Sequence, residues 1–209
     1  MRLKIRQGFA LVCIGALASV ASACSSDDSS SGSSGSKTIE VSESIKVTGK
    51  AIPVFGGSGE DPEPPKVAAP ALSGSSFDRS AVSIEPGADD KPMAVVVVSH
   101  SCPHCQAEVP RLAELLNGGS SIEGVEVRFV STRVSEEADN FPPSAWLTFE
   151  GIEAPVLADD KDGTAMAAYG VGGFPTTVFI GKDGKVVGRT SGEASIEDTR
   201  ALFKKYAAS

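Results

Sequence analysis

The chain has 209 residues, 27 acidic against 19 basic side chains, and a formal net charge of -8. Such an acidic balance argues against nucleic acid and anionic membrane faces as partners. The length left after the N-terminal segments described next makes one core-bearing domain.

Arg2, Lys4 and Arg6 precede an apolar run over residues 9–20, and the small residues Ala21, Ser22 and Ala23 lead to Cys24. A run of about a dozen apolar residues is too short to cross a ~30 Å hydrocarbon core and matches an export signal. The arrangement resembles a bacterial lipobox, with residues 1–23 the signal peptide and Cys24 the lipidated N-terminus. An ordinary signal peptide cut near Ala23 is the alternative, and both readings export the protein. Loss of the leader removes three basic residues and makes the mature chain more acidic still. Residues 24–37, rich in Ser, Gly and Asp, have nothing apolar to bury and are expected to form a flexible tether with a reach of roughly 20 Å.

Residues 38–66 read as an N-terminal extension. Ile39, Val41, Ile45 and Val47 alternate with polar residues, so 38–47 is expected to be extended, pairing as an edge hairpin with 51–55. Residues 56–70, rich in Gly, Pro and acidic side chains, read as a connector, and the domain is set at 67–209.

Within the domain, residues 93–99 carry four consecutive valines and read as a strand buried on both faces. Residues 103–117 are expected to be helical, closed by Gly118 and Gly119, followed by a strand at 125–131. A short helix over 143–150, a short strand at 155–157 and a short helix over 164–169 come next. Strands 176–180 and 185–190 flank Gly181-Lys182-Asp183-Gly184, a hairpin turn, and a helix over 196–207 closes the chain. The predicted class is α/β, a mixed sheet with helices on both faces.

Of four cysteines, Cys13 lies in the leader and Cys24 is taken by lipid, leaving Cys102 and Cys105 as thiols. They sit where the buried strand passes into the helix. Cys102 falls at the helix N-terminus, where free N–H groups and the helix dipole favour an anion. Pro103 suits the first helical turn, and Cys105, three residues on, returns to the same face. The thiolate is the attacking species in disulfide exchange, so Cys102 reads as nucleophile and Cys105 as resolving thiol. His104, near Cys102, would stabilise the thiolate and make the disulfide more oxidising; alternatively it faces solvent in a tight turn. His100 reads as a strand-end residue. A zinc site would need a second Cys or His pair, which the sequence lacks, and an inert disulfide across so short a loop would stabilise little. Cu(I) accepts few thiolate ligands, so a copper site using both cysteines and one His stays open. No metal or cofactor is required by the leading reading.

Pro175, just before an apolar strand, belongs at a strand start and is a candidate cis bond. Taken with Cys102-Pro103-His104-Cys105, Glu108, Pro110, Ala167-Ala168-Tyr169-Gly170-Val171, Phe174-Pro175-Thr176-Thr177 and Gly181-Lys182-Asp183-Gly184-Lys185, the sequence resembles the thioredoxin superfamily. It is most similar to the extracytoplasmic TlpA-like and ResA-like branch, over 70–207. The resemblance implies a thioredoxin-like fold. It implies a cis Pro175 facing the cysteines, a substrate strand pairing beside Phe174, Pro175 and Thr176, and a kink at Pro110. It also lets Glu108 move protons at Cys105; the plain reading of Glu108 is an exposed helix residue. Ser101 stands where the family usually has Trp, and Val96 where thioredoxin has a buried Asp. Pro103-His104 is the dipeptide of DsbA-like oxidants, whereas the surroundings resemble reductases.

The expected function is therefore thiol–disulfide exchange with exported proteins, including apocytochrome c, at the extracytoplasmic face of a bacterial membrane. A reductase would draw electrons from a membrane thiol transporter. The alternatives are a disulfide-donating oxidant, a copper chaperone using the same thiols, and a redox-silent binding module.

Overall fold

The structure is a computed structural model and describes residues 38–209; the expected signal peptide, lipidated Cys24 and tether lie outside the described residues. In chain order the elements are β1 (Lys46–Thr48), β2 (Gly59–Glu60), β3 (Ala71–Ser75), β4 (Ala81–Ile84), β5 (Met93–Val98), α1 (Pro103–Leu116) and β6 (Ser121–Ile122). There follow β7 (Val125–Ser131), α2 (Pro143–Phe149), β8 (Val156–Ala158), α3 (Thr164–Ala168), β9 (Thr176–Ile180), β10 (Val186–Ser191) and α4 (Ile196–Tyr206). Among the described residues no helix is long and apolar enough to cross a membrane.

All strands join one mixed sheet in the order β1-β3-β8-β7-β5-β9-β10-β2, with β4 against β3 and β6 against β7. The valine strand β5 is its centre, parallel to β7 and antiparallel to β9, and all six of its residues are buried. Side chains of a strand alternate between faces. Ala94, Val96 and Val98 therefore enter one core, with Cys105, Val109 and Leu112 of α1, Trp146 of α2 and Phe203 of α4. Met93, Val95 and Val97 enter a second core on the opposite face, with Ala165 and Ala168 of α3 and Tyr169. Helices thus cover both faces of the sheet, as the sequence pattern predicts.

Helix ends follow local chemistry. Ser195 caps α4 by accepting from the Asp198 N–H at 3.1 Å, Glu197 and Asp198 occupy the first turn, and Lys204 and Lys205 the last, all aligned with the helix dipole. Helix α1 ends at Asn117, which takes the left-handed conformation (φ 48°) one residue before the expected Gly118.

The expected hairpin between 38–47 and 51–55 does not form. β1 pairs instead with β3, Lys46 opposite Ser73, while Ile52 N–H donates to Ala168 O at 3.0 Å and Phe55 N–H to Gly170 O at 2.8 Å. Residues 38–70 run as a strap along the domain. Glu40 accepts from the Ser144 backbone N–H at 2.9 Å at the start of α2, and Asp61 takes two bonds from Arg189 at 2.9 and 2.6 Å. The strap wins because its apolar side chains, Ile45 and Ile52, are buried in the second core, an option a free two-stranded hairpin lacks.

Candidate functional site

The buried strand β5 ends at Val98, and the next four residues turn the chain into α1. Cys102 is the N-cap residue (φ -86°, ψ 119°), and its N–H donates to Ser99 O at 3.1 Å. Pro103 opens the helix, where its missing N–H leaves nothing unsatisfied. Both cysteines are free thiols. Cys102 is half-buried; its Sγ lies 3.7 Å from the carbonyl oxygen of Phe174. Cys105 is fully buried, and Ser99 N–H donates to its sulfur at 3.4 Å. Burial pushes the Cys105 thiol well above its ordinary value, Ser99 N–H opposes this, and negative charge at Cys102 and Glu108 adds to it. One sulfur is therefore reachable, and the other holds its proton until something takes it.

Glu108 is not the exposed helix residue of the plain reading. It lies one turn beyond Cys105 and is 6% exposed. Ala194 N–H donates to it at 3.0 Å, the Thr199 hydroxyl at 3.1 Å, and Arg111 Nη1 lies 3.5 Å away. Burial raises its proton affinity above the ordinary carboxylate value, against the pull of Ala194, Thr199 and Arg111. Val96 is buried and apolar, so Glu108 from the helix, rather than a strand residue, brings a carboxylate whose charge acts on Cys105.

His104 is exposed, its side chain 63% accessible, and Nδ1 lies 3.0 Å from Glu193 Oε1 in the loop between β10 and α4. Arg111 Nη1 donates to the other oxygen of Glu193 at 3.1 Å and to Ala194 O at 2.8 Å. Glu193, Arg111 and Thr199 were not singled out from the sequence. They reach the site from 82 to 91 residues away, or from a helix position that only the fold makes meaningful.

The Phe174–Pro175 bond is cis, and Phe174 packs against both cores. Thr176, expected at the substrate strand, has its side chain buried, and its hydroxyl donates to Gly173 O at 2.8 Å. His100 is fully buried. Its Nε2 accepts from Ser135 N–H at 3.1 Å, which places the proton on Nδ1, donated to Asp139 O at 2.8 Å. It sits just past the end of β5, as a strand-end residue would, and it anchors the loop 133–141. Among the described residues no three His, Cys, Asp or Glu side chains gather as a metal site would require.

A reachable sulfur at a helix N-terminus, above a buried one with a carboxylate acting on it, can make and resolve a mixed disulfide. Known proteins share the frame. ResA, a thiol-disulfide oxidoreductase of Bacillus anthracis, is 34% identical over 104 residues, 50% of this chain and 57% of that protein. ResA of Geobacillus thermodenitrificans is 32% identical over 103 residues, 47% of this chain and 53% of that protein. The alignments thus span a little over half the length of these relatives. Among solved structures, a DsbF homologue from Corynebacterium diphtheriae has a TM-score of 0.56 at 22% identity, covering 75% of this chain and 99% of that one. StoA from Bacillus subtilis has a TM-score of 0.51 at 19% identity, covering 66% and 98%. A family model described as a thioredoxin-like domain matches residues 83–207, more than half of the sequence, and the chain belongs to that thioredoxin-like domain family.

Proposed function

We propose that this protein is an exported thiol–disulfide oxidoreductase that reduces disulfides in other exported proteins. The observation that carries the reading is the asymmetry of the two sulfurs: Cys102 half-exposed at the start of α1, Cys105 fully buried behind it. The Cys102 thiolate attacks a client disulfide; one client sulfur leaves as thiolate, and a mixed disulfide forms. Cys105 gives its proton to Glu108 and attacks the Cys102 sulfur, and the second client sulfur leaves. The client gains two electrons, and the protein holds a Cys102–Cys105 disulfide. A membrane thiol transporter returns the electrons; the similarity to ResA, named a thiol-disulfide oxidoreductase, supports thiol–disulfide exchange. Apocytochrome c is one client class.

Lipid on Cys24 and the tether 24–37 would hold the domain at the extracytoplasmic face of the membrane. His104 favours a second reading, disulfide donation, because that dipeptide accompanies oxidants. Redox equilibrium with glutathione separates the two. A potential near or below about -270 mV, with catalysis of insulin reduction, is expected; one near about -120 mV would overturn the reductive direction. Failure to cycle at all would remove the function.

A further inference from the structure

Helix α1 has no acidic residue in its own first turn, and Cys102 caps that end. The carboxylate found there comes from the loop between β10 and α4. Glu193 Oε1 lies 3.0 Å from His104 Nδ1, and Oε2 accepts from Arg111 Nη1 at 3.1 Å. Arg111 is itself fixed by the Ala194 carbonyl at 2.8 Å, and Ala194 N–H is bound to Glu108 at 3.0 Å. One connected set of bonds thus joins the exposed His beside Cys102 to the buried carboxylate that acts on Cys105.

A negative charge at a helix N-terminus takes up the favourable potential that a thiolate would otherwise use. It also faces the imidazole that would assist that thiolate. Arg111 pairs with the same carboxylate at 3.1 Å whether the imidazole is neutral or protonated. In either state, removing the carboxylate makes the surroundings of Cys102 more positive.

We propose that Glu193 is a positioning residue that holds the Cys102–Cys105 pair toward the reducing side by offsetting His104. The proposal rests on the redox reading above. The imidazole is present beside Cys102, and its influence there is opposed by the carboxylate it faces. Burial is slight at Glu193, and His104, then Arg111, hold its carboxyl below the ordinary value, so it stays ionised at neutral pH.

The test is the equilibrium of the domain with glutathione, in which the protein disulfide takes two electrons from two glutathione thiols to give the dithiol and glutathione disulfide. Glu193→Gln keeps the shape and removes the charge; it is expected to move the equilibrium about two- to fivefold toward the reduced protein, the scale of one charge at a helix end. Glu193→Asp keeps the charge and is expected to stay nearer the parent. An unchanged equilibrium in Glu193→Gln, or equal shifts in Gln and Asp variants, would overturn the proposal. If the unmodified protein forms no Cys102–Cys105 disulfide in glutathione, the redox reading itself fails, which is a separate outcome.

Discussion

Replacing Glu108 by Gln should slow the release of clients without weakening the fold. The side chain is 6% exposed and accepts from Ala194 N–H and the Thr199 hydroxyl. A Gln carbonyl can keep the Ala194 bond, and its amide can donate to the Thr199 oxygen, so no buried group is orphaned. What disappears is the proposed proton acceptor. Cys105 holds its proton strongly because it is buried, and a general base contributes about 10²- to 10⁴-fold. Decay of a Cys102 mixed disulfide, followed by rapid quenching and mass spectrometry, should therefore slow by about 100-fold at pH 7. Its formation should be unaffected. Stability gives an independent sign. The proton affinity of Glu108 is raised in the folded state, so its contribution is fully present below the ordinary carboxylate value and is lost as pH rises through the folded value. The variant lacks that loss and should match or exceed the parent at pH 7, with a difference within about 1 kcal/mol because the Arg111 pair is partly exposed. Glu108→Ala, by contrast, strands the Ala194 N–H and should cost about 1–3 kcal/mol. A resolution rate in Glu108→Gln within threefold of the parent, taken as roughly the spread of such comparisons, would refute the base assignment.

Two further outcomes test the frame around the site. Asp61→Ala leaves the Arg189 guanidinium, whose side chain is 6% exposed, with only the Pro53 carbonyl and the Phe55 ring among the described residues. It should lower stability by about 3–5 kcal/mol in denaturant titration, and a loss below about 1 kcal/mol would mean the strap is held elsewhere. At Gly188 an added Cβ would lie 2.6 Å from Tyr206 Cε1, a ring stacked on Phe179 at 4.5 Å. Gly188→Ala should cost about 1–3 kcal/mol through displacement of that ring, and an unchanged unfolding midpoint would show that α4 shifts freely.

The residues differ in how plainly the sequence announces them. Four valines running into Cys102-Pro103-His104-Cys105 specify a buried strand, a turn and a helix by local chemistry alone, and the structure places β5 and α1 there. The Gly181–Gly184 turn is equally local, with β9 and β10 on either side. Partner choice is different. Residues 38–55 read as extended, but nothing within them says that β1 will meet β3, whose Ser and Gly residues give it a weak strand signal of its own. The β3–β4 hairpin has the same weak signal on its β3 side. Glu108 was half legible: it shares a face with Cys105, Val109 and Leu112, so helical spacing points it inward, while its charge argues for solvent. The fold overrides the charge by offering Ala194 and Thr199. Glu193 has no local signature at all, since it meets His104 across 89 residues.

Trapping the exchange on the sulfur itself tests the mechanism most directly. Cys105→Ser, reduced and mixed with disulfide-bonded insulin, should accumulate a stable mixed disulfide that peptide mapping places on Cys102. Cys102→Ser should give none, because Cys105 is fully buried. An adduct on Cys105, or no adduct in either variant, would contradict the assignment of an outer attacking sulfur and an inner resolving one.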